Sequence, residues 1–136
     1  MNSAIRVVFV EDVPVDALEV QEVLRHDGLP VQLQRVDTRE AFQRELESDP
    51  PDVILSDHGL PTFDGFAALD MACKMCPQIP FLFVTGSSNL ELEIEKLSLG
   101  VTEHVPKGRL ELLAPAIRRA LSYAEKLQSR CIPCAA

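Results

Sequence analysis

Five side chains stand where short strand-like runs stop: Glu11 and Asp12 after IRVVFV, Asp57 after DVILS, Thr85 closing PFLFVT, and Lys107 after VTEHVP. Three carboxylates, a hydroxyl and an ammonium suggest a definite chemistry if they converge. Acids brought close together repel one another, which destabilises the site unless something positive neutralises them. A hard divalent cation does so, and Mg²⁺ takes a few carboxylate oxygens while water or phosphate oxygen fills its other positions. The same set suits phosphoryl transfer to a carboxylate, because a cation and a lysine balance the charge on the transferring oxygens while a hydroxyl donates to another of them. Taken alone, Asp57 reads as a turn aspartate that ends a strand. As the central acid of the set it is the candidate nucleophile.

Convergence depends on the elements. Short apolar runs alternate with longer amphipathic ones, the pattern of repeated βα units around a parallel sheet covered on both faces. Ile5 to Val10 is β-branched and nearly all apolar, as a central strand would be. Pro14 begins a helix carrying Ala17, Val20 and Leu24 at helical spacing, and Gly28 ends it. Val31 to Val36 alternates in the manner of an edge strand. A helix over 38–48 follows, with Asp37 and Glu40 spaced as a capping pair and Ala41, Phe42 and Leu46 facing inward. DVILSD predicts a buried third strand, DGFAALDMACKMC a helix capped by Asp64, and Pro80 to Thr85 a fourth strand. NLELEIEKLSLG has a strand-like rhythm, but the Ser88–Glu91 capping box and the stop at Gly100 make it a helix. Val101 to Val105 gives a fifth strand, and Leu110, Leu113, Ile117, Leu121 and Ala124 mark a last helix ending near Gln128. The expectation is an open doubly wound α/β sheet of five strands with right-handed crossovers, in which ligands bind beyond the carboxyl ends of the strands.

The chain has 136 residues, 46% of them hydrophobic, which predicts one domain with one core. Thirteen Lys and Arg against 21 acids, a net charge of -8, argue against a nucleic-acid binder, as do one Tyr and no Trp. No apolar run is long enough to span a bilayer and MNSAIRVVFVED is not a signal peptide, so the expectation is a cytoplasmic protein without a membrane partner. Cys73/Cys76 and Cys131/Cys134 form two CxxC pairs. They are too far apart for a zinc ribbon, and Cys73 and Cys76 continue the packed helical face of Phe66 and Leu69. His26 and His58 read as solvated.

The ordered motifs VFVED, VILSDHGLPTFDG, FLFVTG and HVPKG carry a family resemblance. From about Ile5 to Gln128 the chain resembles a receiver domain, the CheY-like phosphoacceptor module of two-component response regulators. The resemblance implies a flavodoxin-like (βα)5 fold with strand order 2-1-3-4-5 and a receiver over 1–128; SRCIPCAA over 129–136 has no periodicity and reads as a flexible tail or linker start. It implies that Asp57 accepts a phosphoryl group from the phosphohistidine of a sensor histidine kinase or histidine phosphotransfer protein. Asp12, Asp57 and the backbone carbonyl of Gly59 would bind Mg²⁺ directly, and Glu11 through a water. Thr85 would turn its hydroxyl toward the phosphoryl oxygens, Lys107 would pair with them, and Thr85 and His104 would form the switch. Such a module is not an enzyme beyond phosphorylating and dephosphorylating itself.

Two positions depart from the family pattern. His104 replaces the usual Tyr or Phe, and Gly108 follows the lysine where Pro across a cis bond is common; a cis Lys–Gly bond would cost about 3 kcal/mol. These departures keep open an interaction module that signals without phosphate. An Mg²⁺-dependent phosphohydrolase using an aspartyl-phosphate is a further alternative, although Gly59 stands where such enzymes usually carry a second acid. Partners of receivers dock on the face of the fourth helix, fifth strand and fifth helix, where Leu92, Leu99 and Tyr123 are candidate contacts. Output is expected from a partner or from fused domains, and residues 83–121 most resemble receivers at the start of sensor kinases and related multidomain proteins.

Overall fold

The computed structural model describes residues 4–57, 63, 65–85 and 101–135, excluding the side chains of 85, 101–103 and 125–135. Strands β1 (Ile5–Val10), β2 (Val31–Val36), β3 (Val53–Ser56), β4 (Phe81–Thr85) and β5 (Val101–Pro106) form one parallel sheet in the order β2-β1-β3-β4-β5. Helices α1 (Pro14–His26), α2 (Arg39–Ser48), α3 (Gly65–Met75) and α4 (Leu113–Ala135) cover it, with a 3₁₀ turn over Lys107–Leu112.

Alternation along β1 divides the core into two layers. Val7 and Phe9 point to the side covered by Ala17, Val20 and Leu24 of α1 and by Leu113, Ile117 and Ala120 of α4. Val8 and Val10 point to the other side, against Phe42 and Leu46 of α2 and Ala68, Leu69 and Ala72 of α3. Both faces of β1 are thus buried from Val7 to Val10, which is why that stretch is apolar throughout. β2 lies at the edge, and its alternating pattern leaves Gln32 and Gln34 exposed. At the other edge β5 accommodates Pro106, whose missing N–H breaks no ladder there.

The helix ends explain how the turns are made. Pro14 starts α1 without cost, since its missing N–H is one the first turn would leave unpaired. At the other end Gly28 takes φ 80, Leu29 N–H donates to Leu24 O at 2.8 Å and Gly28 N–H to Arg25 O at 3.1 Å, a Schellman stop. The cap of α2 is Thr38, whose Oγ1 accepts from Ala41 N at 3.1 Å. Asp37 lies one residue too early and pairs with Arg35 instead.

Two boundaries differ from expectation. The tail expected to be loose after Gln128 continues α4 to Ala135. An apolar stripe reports which residues pack, not where a helix stops, and 129–135 contain no glycine. At its start, Leu110 belongs to the 3₁₀ turn and not to the regular helix. The segment read as a helix between Ser88 and Gly100, and the cap at Asp64, lie outside the described residues. No described peptide bond is cis, that between Lys107 and Gly108 included. Among the described residues no helix is long and apolar enough to cross a membrane.

Candidate functional site

The carboxyl edge of the sheet is fixed by its backbone first. Val10 of β1 is in register with Ser56 of β3, so Glu11 and Asp57 leave neighbouring strands at the same level. Asp57 N–H donates to Val10 O at 2.9 Å, and Glu11 N–H donates to Val36 O at 2.9 Å. The buried Ser56 hydroxyl, the one polar group in the third strand, donates to Asp57 O at 2.8 Å. Arg35 reaches over from β2 and donates from Nη1 to Glu11 O at 3.1 Å.

Glu11 is fully buried, which is costly for a carboxylate without partners. Val13 N–H donates to its Oε2 at 3.0 Å, which turns Oε1 toward Lys107. Lys107 arrives from β5, one residue after Pro106, which is in register with Thr85 of β4. Its Nζ lies 2.9 Å from Glu11 Oε1, donates to Asp57 Oδ2 at 3.2 Å, and donates to Asp16 Oδ2 at 2.7 Å. One ammonium therefore serves three carboxylates drawn from β1, α1 and the end of β3. The Glu11 contact has the distance of an ion pair but not the orientation of a hydrogen bond, and buried Oε1 has no hydrogen-bond partner among the described residues.

Burial pushes the Glu11 carboxyl up to about 7, against the lowering effects of Lys107 and the Val13 N–H and with a further rise from the Asp57 charge. Burial works against the Lys107 ammonium too. The hydrogen bond to Asp16, then the contacts with Glu11 and Asp57, more than offset it, so that the lysine is held charged well above its ordinary range.

Glu11, Asp12 and Asp57 each offer a carboxylate oxygen, and these oxygens lie within 4.8 Å of one another. Hard oxygen donors, an exposed Asp12 at the mouth and behind it a Glu11 Oε1 that accepts no hydrogen bond among the described residues suit a hard divalent cation.

The structure brings Glu11, Asp12, Asp57 and Lys107 together, as their strand-end positions predicted. The Thr85 backbone closes β4 beside Pro106, while its side chain and all of Gly59 lie outside what is described. His104 is half-buried on β5 in register with Phe83. Tyr123 is exposed on α4 as anticipated; Leu92, Leu99 and His58 fall outside the described residues. Cys76 is buried and Cys73 half-buried beside the second core layer, and burial raises both thiols, which makes them poor nucleophiles. Asp16 was missed. It sits in the first turn of α1, where an acid is expected simply to complement the helix dipole, and nothing local distinguishes it from that role.

Comparison with known proteins agrees with this geometry. Over 89 residues the chain is 33% identical to the DNA-binding transcriptional regulator NtrC of Salmonella typhimurium, covering 64% of this chain and 19% of the regulator. It thus spans about a fifth of that relative's length. A CheY-like receiver domain protein of Methanospirillum hungatei superposes with a TM-score of 0.77 at 24% identity, covering 91% of this chain and 98% of the other. The receiver domain of a sensor histidine kinase from Pseudomonas aeruginosa, solved with magnesium in its active-site cleft, gives 0.73 at 23% identity over 88% and 99%. The family model for the response regulator receiver domain matches residues 7–118, from within the first strand into α4. On that match this chain belongs to the response regulator receiver domains, the CheY-like modules of two-component signal transduction.

Proposed function

We propose that this receiver takes a phosphoryl group onto Asp57 from the phosphohistidine of a sensor histidine kinase or histidine phosphotransfer protein, in the cytoplasm. The observation that carries the reading is the gathering of Lys107 and three carboxylates at the mouth where Asp57 ends its strand. Asp57, with its side chain 16% exposed, is open enough to be reached and enclosed enough to be oriented. Its carboxylate oxygen attacks phosphorus, the P–N bond to the donor imidazole breaks, and the imidazole leaves with the bonding pair. Lys107 stabilises the charge on the phosphoryl oxygens as the new O–P bond forms.

Asp12 and Asp57 would hold Mg²⁺ directly with the Gly59 carbonyl, and Glu11 would act through a water. The cation supplies charge neutralisation to the carboxylates and the phosphoryl oxygens when bound. Thr85 and His104 would carry the change along β4 and β5 to a partner-binding face. The donor needs a foothold beside the mouth. Val13, Val15 and Leu18, 41%, 67% and 62% exposed at the start of α1, form an apolar surface fit for one.

The complete acid and lysine set supports phosphorylation over a phosphate-independent module, and Gly59 in place of a second acid argues against a phosphohydrolase. Catalysis by the domain itself is limited to its own phosphorylation and dephosphorylation. Addition of beryllofluoride with Mg²⁺ should shift the backbone amide resonances of Asp57 and of β5 in the folded protein, and Asp57→Asn should abolish the shifts. Folded wild-type protein with no shift at saturating reagent would favour the phosphate-independent module instead.

A further inference from the structure

The shortest contact of Lys107 is not with Asp57. Its Nζ lies 2.7 Å from Asp16 Oδ2, 2.9 Å from Glu11 Oε1 and 3.2 Å from Asp57 Oδ2. Asp16 also differs in kind from the other two partners. Glu11 and Asp57 belong, with Asp12, to the group of carboxylates close enough to share a cation; Asp16 does not. A cation at the mouth would compete with Lys107 for Glu11 and Asp57 but leave Asp16 to the ammonium. Phosphorylation would exchange a further partner, since the acyl-phosphate carboxyl of Asp57 no longer carries its own charge and the phosphoryl oxygens take its place. Among the described residues that contact Lys107, Asp16 is the one carboxylate left to it throughout. Its backbone is well placed for this: Asp16 N–H donates to Val13 O at 3.1 Å, and Pro14 starts the turn that carries it.

Resting on the phosphoacceptor reading of Asp57, we propose that Asp16 is a positioning residue that holds the Lys107 ammonium at the mouth while the other carboxylates are occupied. An ammonium has three N–H donors, so one can stay on Asp16 while the others follow the phosphoryl oxygens. Without Asp16 the long, flexible lysine stem must be ordered by the reacting groups alone, and the loss falls on the transfer step and not on the binding of the phosphodonor.

The test is phosphorylation of the whole chain by acetyl phosphate at saturating Mg²⁺, with the maximal rate and half-saturating concentration measured separately. Asp16→Asn should lower the maximal rate on the order of tenfold with little change in half-saturation. Asp16→Glu should restore much of it, and Asp16→Asn added to Lys107→Ala should cost nothing more, because the first acts only through the second. An active wild type with an equally active Asp16→Asn overturns the inference alone, as does an undiminished effect of Asp16→Asn in the Lys107→Ala background. An inert, folded wild type sinks the phosphoacceptor reading and this inference with it. Should Asp16→Asn fail to fold, the wild-type Lys107 Nζ resonance decides: with Mg²⁺ bound it should remain protected from exchange. A signal exchanging as fast as that of exposed Lys74 would overturn the inference.

Discussion

Glu11 Oε1 lies 2.9 Å from Lys107 Nζ, and this contact ties the end of β1 to the residue after β5 although β3 and β4 lie between those strands in the sheet. It also sets a pH dependence. The Glu11 carboxyl is raised to about 7 in the folded protein from an ordinary 4.5, chiefly by burial, so the folded state binds this proton more tightly than the unfolded chain does. The stability it contributes is complete below the unfolded value and is lost as pH rises through the folded one. Without divalent cation, urea unfolding should show stability falling between about pH 5 and pH 8, by up to about 3 kcal/mol from this group. Glu11→Gln should flatten the fall; an unchanged slope would assign it elsewhere.

Three carboxylates within 4.8 Å of one another make a second expectation. In cation-free buffer Asp12→Asn should raise stability by about 0.5–1 kcal/mol, the scale of an exposed charge interaction, because it removes repulsion at the mouth. Added Mg²⁺ should raise the wild-type melting temperature and do so less for Asp12→Asn. Equal Mg²⁺ responses in the two proteins would remove Asp12 from the cation site.

Gly28 tests the stop of α1. A Cβ there would meet Arg118 Nη2 at an ordinary 3.7 Å, so space is not what demands glycine. The φ of 80 is, and Gly28→Ala should cost about 1 kcal/mol in denaturant unfolding. A neutral substitution would mean that the turn relaxes without the left-handed residue.

The exposed apolar surface at the start of α1 separates docking from chemistry. Val15→Glu and Leu18→Glu should slow transfer from a phosphohistidine protein by tenfold or more relative to transfer from acetyl phosphate, since a small donor needs no foothold there. A parallel fall with both donors would place these residues in the fold or the chemistry instead.

Much of this was legible in the sequence because strand ends are. A continuous apolar run such as Val7 to Val10 says where a buried strand stops, and parallel order then brings Glu11, Asp57 and Lys107 to one edge. Asp16 was not legible, because its partner is brought to it only by the full winding of the sheet. Locally it is just an acid in a helical first turn. The α2 cap was misread for a related reason: Asp37 and Thr38 are both good caps, and the geometry that sent Asp37 to Arg35 comes from β2. The length of α4 escaped because the apolar period ends where packing ends, while the helix itself continues.

The central claim is that Asp57 is the phosphoacceptor of a site completed by Lys107 and the Glu11–Asp12 pair. Intact-mass spectrometry of the folded protein after incubation with acetyl phosphate and Mg²⁺ tests it most directly. The account predicts a mass gain of one phosphoryl group in the wild type, lost on removing the cation and absent in Asp57→Asn. No gain in folded wild-type protein, or a gain that persists in Asp57→Asn, would contradict it.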